Sequence, residues 1–436
     1  MSNIRIGLFG CGVVGQGVMR LLHEHASNIE ARLGGRIEVR RIVVRSADKD
    51  RGPYVDRTLI SHDPSDILED PEIDIVVEVM GGVEEADRIV RRALAQEKSV
   101  VTANKALLAD RGQQLFSLAQ EQGVDLYFEA AVAGGVPIIR VLREALTSDR
   151  VVSLKGIING TSNYILSRMQ EQAGLDFAEA LREAQEKGYA EADPTLDVGG
   201  GDAAHKLTIL ASLAFGAPVE LSQVPMEGID NVSALDMQFA KRFGYAIKPL
   251  AVARQLEDGR LDLRVHPALV DSKKVLASVR GALNAVYIEG AALGPCMLSG
   301  YGAGALPTAV SVVSDMVDVG RNLLAQAGGR VKHHSVPSNP PSRPRVQPLS
   351  EHQCAYYLRF TVSDRSGILG GLAGVLGDNR VSIDQMFQDG HGQDEPVSIV
   401  MLTHPALEGD MHNALTRIDA MDGVVAKTRA LRIEED

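Results

Sequence analysis

IRIGLFGCGVVGQGVMRLLHEH, from Ile4 to His25, decides the fold. Its first six residues form a short apolar run that reads as a buried parallel strand. Gly10, Gly12 and Gly15 follow at once in G-C-G-V-V-G, and the helical pattern VGQGVMRLLHEH starts inside the loop. Gly10 permits a tight turn, Gly12 lets backbone approach a pyrophosphate, and Gly15 lets helix and strand pack closely. The helix start at Val13 and Val14 then offers free N–H groups and a positive dipole end to phosphates. A glycine-rich turn alone is common. A strand before it and a helix after it make Gly10, Gly12, Val13, Val14 and Gly15 a dinucleotide-binding loop. Cys11 reads as a small side chain that fits the turn.

Outward from this loop, IEVRRIVV, DIVVEVM, SVVTA and VDLYFEA read as further parallel strands, with amphipathic stretches such as EADRIVRRALAQE between them. The alternation predicts an α/β chain with a doubly wound Rossmann domain over residues 1–137. The second strand ends in Arg45 and Ser46, with Lys49 close behind. An acid there would bond the ribose hydroxyls of NAD, whereas arginine suits a 2′-phosphate, so NADP is expected and NAD remains possible. A surface basic pair is the plain alternative.

Residues 138–304 mix helices such as DAAHKLTILASLAF with strand-like RLDLRVHPALV, and predict an α+β catalytic and dimerisation domain. Residues 329–350, GRVKHHSVPSNPPSRPRVQPLS, read as a proline-rich extended linker. Residues 351–434 then give strand, helix, strand, strand, helix, strand, the ferredoxin-like order.

The 436-residue length allows about two to four domains. The net charge of −12 argues against nucleic acid and anionic membranes as partners. Cys11, Cys296 and Cys354 lie far apart and suit neither a metal site nor a disulfide framework. The N-terminus enters a strand directly, without a signal-peptide pattern, and LTILASLAFGAPV is too short to span a bilayer. These features predict a cytoplasmic protein.

The chemistry points to GYAEADPTLDVGGGDAAHK, Gly188 to Lys206. Asp202 and Lys206 are four apart and share a helix face; an exposed pair of this kind contributes about 0.3–0.5 kcal/mol. Leu207, Ile209, Leu210 and Leu213 make the helix largely buried, where an ion pair is costly unless it has a function. Glu191, Asp193 and Asp197 add negative charge that would suit a cationic amino group on a substrate. In SVVTANKALLA, Lys105 stands just past a strand end, where the ligand crevice of an open sheet lies, although a surface lysine at a helix start reads equally well. With no Cys/His cluster for a catalytic zinc, lysines would move the proton while a nicotinamide takes the hydride.

At this point the chain resembles homoserine dehydrogenases of the monofunctional type with a C-terminal ACT domain. AQEKGYAEADPTLDVGGGDAAHK, Ala184 to Lys206, carries the family signature at every fixed spacing, and VVTANKALLA and YFEAAVAGGVPII are similar too. The resemblance implies NAD(P)-linked interconversion of L-homoserine and L-aspartate 4-semialdehyde, a step toward threonine, methionine and isoleucine. It implies Lys206 as proton donor or acceptor, Lys105 in contact with cofactor and substrate, Glu191 as a homoserine ligand, and Asp202 as the group that positions homoserine and Lys206. It also implies a monovalent cation, usually sodium, held by Glu129 and the carbonyls of Val132, Gly134 and Val136. In GYGAGALPTA it places Gly302 against the nicotinamide, followed by a helix at about 305–328 that returns to the Rossmann domain. Tyr301 and Ala305 depart from the residues usual in that loop. The C-terminal unit would sense an amino acid, with threonine as natural effector, although Asp364-Arg365-Ser366-Gly367 lacks the usual proline. Such units often pair across subunits, so a homodimer or homotetramer is expected.

Two other readings stand beside this one. A non-catalytic amino-acid sensor on a Rossmann scaffold would need none of Glu191, Asp202, Lys206 and Lys105. An aspartate-semialdehyde dehydrogenase would need a thiolate nucleophile, and Cys296 is the sole cysteine in the central domain.

Overall fold

The computed structural model describes residues 3–46, 49–332, 344–389 and 396–434. Residues 333–343 of the expected linker lie outside the described residues. The chain forms two compact units. The first gathers Met1–Gly160, Asp202–Val224 and Leu283–Pro344; the second gathers Thr161–Gly201, Pro225–Ala282 and Arg345–Asp436.

In the first unit six parallel strands run in the order Ile60–Ser61, Arg36–Val43, Asn3–Phe9, Ile75–Glu78, Ser99–Thr102, Leu126–Tyr127. Asn3–Phe9 has Arg36–Val43 on one side and Ile75–Glu78 on the other, so the winding reverses there. That reversal opens a crevice beyond the carboxyl ends of the strands, where the glycine loop lies. Every residue of Ile75–Glu78 and Ser99–Thr102 is buried, as a sheet covered on both faces requires. The two-residue strand Ile60–Ser61 has no apolar run to announce it. VDLYFEA keeps only Leu126–Tyr127 as strand, because Glu129–Ala131 tightens into a 3-10 turn.

The Ala305–Leu324 helix supplies Ala309, Val312, Val313 and Met316 to the same core as Ile4, Ile6 and Leu8. Gly17, in the helix after the glycine loop, lies so close that a Cβ there would stand 2.5 Å from the Ala305 carbonyl oxygen. The unit also holds the antiparallel strands Val151–Ile157, Leu283–Gly290 and Gly294–Tyr301.

The second unit is built on Tyr245–Gln255 and Leu261–Asp271, paired antiparallel. Val424–Glu434 joins this pair in parallel through Arg432, Ile433 and Glu434. Gln353–Ser363, Pro396–Thr403 and Ile383–Asp389 follow antiparallel beyond it. With helices Ile368–Asp378 and Glu408–Asp419, the last stretch shows the β-α-β-β-α-β order around its own core of Tyr356, Leu358, Phe360, Leu372 and Met401. Arg345 and Gln347 hydrogen-bond to Leu261, so the end of the expected linker is tied to a strand. Among the described residues no helix is long and apolar enough to cross a membrane.

Candidate active site

The glycine loop opens a cleft of about 1110 Å³ lined by Gly10, Gly12, Arg45, Ser46, Lys49, Arg51 and Met80 among others. Gly10 has φ +94°, a conformation that favours glycine, and its N–H donates to Val43 O at 2.9 Å. A Cβ on Gly12 would meet nothing within 4 Å, so backbone there faces open space. A Cβ on Gly15 would lie 2.5 Å from Gly10 O, which is the close helix-to-loop packing expected of the third glycine. Val13, 68 % exposed, and Val14 begin the helix whose N-cap, Gly12, has no side chain to satisfy its orphan N–H groups. Arg45 and Lys49 are exposed at the rim, while buried Arg51 donates to the carbonyls of Lys49 and Ser46 and holds that rim in shape. This geometry fits a dinucleotide: open backbone at the phosphates and cations where the second strand ends.

Deeper in the same unit three of the residues singled out by sequence meet. Asp202 stands in the first turn of the Gly201–Phe215 helix, where the dipole favours a negative charge. Its Oδ2 accepts from Lys206 Nζ at 2.7 Å, and its Oδ1 faces Lys105 Nζ at 3.0 Å. Lys105 opens the Lys105–Gln122 helix, whose N-cap Asn104 accepts from Leu107 N–H. Lys206 Nζ also donates to Ile158 O at 2.7 Å. Burial alone would raise the Asp202 carboxyl, but the two ammonium groups hold it well below the usual carboxylate range. An ammonium has three N–H donors. The two bonds of Lys206 go to Asp202 and Ile158, so one donor has no acceptor among the described residues.

Asn159 and His205 escaped the sequence reading. Asn159 Nδ2 donates to Asp202 Oδ2 at 2.8 Å from 43 residues away. The polar turn ING before a helix was its only local sign. His205 adjoins Lys206; burial lowers its pKa against the opposing pull of Asp202, and Lys105 and Lys206 add to the lowering, so it stays neutral near pH 7. Glu191 belongs to the second unit, where it is exposed and its carbonyl accepts from Gln185 Nε2 at 3.2 Å. In that unit Asp193 accepts from Thr195 N–H and Oγ1, so its charge serves a local turn.

The stretch from Glu129 to Val136 is buried or nearly so. The Glu129 carboxylate accepts from the backbone N–H groups of Ile139 and Arg140, both at 2.8 Å. Burial pushes the carboxyls of Glu129 and Asp315 up, and Asp315 rises further because Glu129 is close. Ser311 Oγ donates to Gly134 O at 2.6 Å, and Asp315 accepts from Glu129 N–H, so the returning helix fastens this loop at two points. Oxygen donors of this kind, Glu129 with the carbonyls of Val132, Gly134 and Val136, suit a hard monovalent cation. Gly135 N–H donates to Tyr301 O at 3.0 Å, and a Cβ on Gly134 would stand 2.5 Å from Gly302 O. The Glu129–Val136 loop and the Gly302 loop therefore touch backbone to backbone.

The chain is similar to known proteins over its whole length. A family model described as homoserine dehydrogenase matches residues 137–317, and one described as its NAD binding domain matches residues 10–129. A homoserine dehydrogenase from Pseudomonas aeruginosa is 42% identical over 438 residues, covering 100% of both chains. The solved homoserine dehydrogenase from Thiobacillus denitrificans has a TM-score of 0.92 at 44% identity, covering 100% of this chain and 99% of its own. A hyperthermophilic archaeal homoserine dehydrogenase in complex with NADPH has a TM-score of 0.62 at 27% identity, covering 73% of this chain and 98% of its own. With a dinucleotide cleft, an Asp202-centred pair of lysines and full-length likeness, this chain belongs to the homoserine dehydrogenase family of NAD(P)-dependent oxidoreductases.

Proposed function

We propose that the enzyme interconverts L-homoserine and L-aspartate 4-semialdehyde, with NADP preferred over NAD. The observation that carries the reading is Lys206, fixed by Asp202 and Ile158 and keeping one N–H uncommitted among the described residues. When bound at the glycine loop, Gly10, Gly12, Val13, Val14 and Gly15, the coenzyme supplies hydride transfer. In the reducing direction the Lys206 ammonium polarises the aldehyde oxygen and gives it a proton as the alcohol forms. In the oxidising direction the amine of Lys206 takes the hydroxyl proton. Asp202, held as a carboxylate, aims Lys206 and, through its other oxygen, Lys105, which we assign to contact both coenzyme and substrate.

By its place in the signature, Glu191 is assigned to the homoserine amino group. Arg45 is assigned to the 2′-phosphate and Gly302 to the nicotinamide side; the NADPH bound by the archaeal relative favours the same coenzyme. Glu129, Val132, Gly134 and Val136 are assigned to a monovalent cation, sodium by preference, whose charge would offset the buried carboxyls beside it.

We further propose a Rossmann domain of residues 1–137 completed by the returning helix, a catalytic and dimerisation domain of 138–304, a linker of 329–350 and an ACT domain of 351–434. The β-α-β-β-α-β order supports the last of these. Threonine inhibition, a homodimer or homotetramer, a cytoplasmic setting and a role in threonine, methionine and isoleucine biosynthesis belong to the same proposal.

The test follows absorbance at the NADPH band with homoserine, for both coenzymes, with and without threonine. Lys206→Ala is expected to bind NADPH as the parent does while turnover falls about 10²–10⁴-fold. Near-parental turnover would remove Lys206 from the chemistry.

A further inference from the structure

We propose that Asn284 is a coenzyme-contacting residue whose amide pairs with the carboxamide of the nicotinamide ring. The proposal rests on the reading that the ring lies at Gly302. Asn284 is 1 % exposed, and among the described residues neither its Oδ1 nor its Nδ2 has a hydrogen-bond partner. Most buried amides are bonded, and exchanging the oxygen and nitrogen leaves both atoms equally alone. The proposed chemistry gives this side chain no task.

Its position supplies one. Asn284 stands opposite Gly300, and its neighbour Ala285 stands opposite Ile157. Asn284 therefore leaves the ladder where Ile158 begins, and the Ile158 carbonyl is the group that holds Lys206 Nζ. On its other flank the amide lies against Gly302, where any Cβ would overlap it. The same loop runs into the helix at Ala305, which touches Gly17 just after the glycine loop. With the ring at Gly302, as assigned above, Asn284 is the side chain directly behind that glycine. Gly302 has no side chain, and the amide fills the space that a Cβ there would take.

The coenzyme's carboxamide answers both orphan atoms. Its NH₂ donates to Oδ1 and its carbonyl accepts from Nδ2. A lysine or a carboxylate would satisfy only one of them.

The experiment uses the full chain, with NADPH and its reduced 3-acetylpyridine analogue as probes, in which a methyl replaces the carboxamide NH₂. Wild type is expected to bind the analogue several-fold more weakly than NADPH. Asn284→Leu, of similar shape, is expected to unfold at the same or a higher temperature without coenzyme, because an apolar group replaces an unpaired one. It is expected to bind NADPH roughly tenfold more weakly and to lose the preference between the two probes. Parental affinity in the variant, a preserved preference, or a rise in KM for homoserine alone would overturn the proposal. Equal affinity of wild type for the two probes would overturn it without any variant, including the case in which Asn284→Leu does not fold. Failure of wild type to bind either probe would instead remove the coenzyme reading itself, and this proposal with it.

Discussion

The two units each bury a cluster of charges, and they do so in opposite ways. In the first, one carboxylate, Asp202, faces two lysines, and Lys105 is still 36% exposed. In the second, Arg264, 2 % exposed, gives Nη1 to Asp262 and to His352 Nδ1 at 3.0 Å, Nη2 to Glu434 at 2.9 Å, and Nε to His266 Nε2 at 3.2 Å. Burial, then the neighbouring Arg432 and Arg264, push His266 well below its ordinary pKa, so it stays neutral and accepts that bond. The guanidinium fork meets a partner at every nitrogen, whereas the Lys206 ammonium keeps a donor in hand. A saturated cluster ties strands together. An unsaturated one can still bond a reacting oxygen.

The largest effect expected from this contrast is on stability. Arg264→Met should leave Asp262 buried without its guanidinium and Glu434 with the more distant Arg254 at 3.8 Å, and cost about 3–5 kcal/mol. Urea unfolding would measure it, with turnover of the folded enzyme expected within twofold of the parent. An unchanged urea midpoint would break the comparison.

The converse expectation applies to Asp202→Asn. It should cost less stability than Arg264→Met, because Lys105 is part-exposed and the buried Lys206 keeps Ile158 O, and lower kcat about a hundredfold as Lys206 loses its aim, read from steady-state kinetics with NADPH binding as control. Equal damage to stability and kcat would make the Asp202 cluster structural as well.

Lys248 sharpens the contrast at its small end. It is 1 % exposed and donates to Val279 O at 2.7 Å; burial first, then Arg280, lower its pKa to about 8. An unfolded lysine has a pKa near 10.4, so between about 8 and 10.4 the unfolded state binds more protons and stability from this group rises with pH. The penalty is present in full below about 8 and relieved above 10.4. The difference in unfolding free energy between wild type and Lys248→Met should therefore change by on the order of 3 kcal/mol across that window. A flat difference curve would mean the lysine finds water.

These clusters were unequally legible in the sequence. Asp202 and Lys206 could be paired by counting, because a helix brings i and i+4 together whatever surrounds it. In RLDLRVHPALV, Asp262, Arg264 and His266 alternate on one face, and period-two logic turns such a face to water. Yet ten of the eleven residues of Leu261–Asp271 are buried. The strand that covers the end of this run, Val424–Glu434, comes more than 150 residues later. Asn159 was missed for the same reason: its partner Asp202 is remote, and asparagine before a helix has many ordinary uses.

By itself the sequence determined what depends on neighbours along the chain. The turn at Gly10, the packing at Gly15 and the Asp202–Lys206 pair each involve residues only a few positions apart, so backbone geometry fixes them. Only the tertiary structure decided which long-range partners completed them: Lys105 and Asn159 at Asp202, Ser311 and Asp315 at the Glu129–Val136 loop, Gly302 against Asn284. Such contacts are chosen by how buried surfaces fit and by the cost of leaving a polar group unpaired, and neither is written in the spacing of one segment.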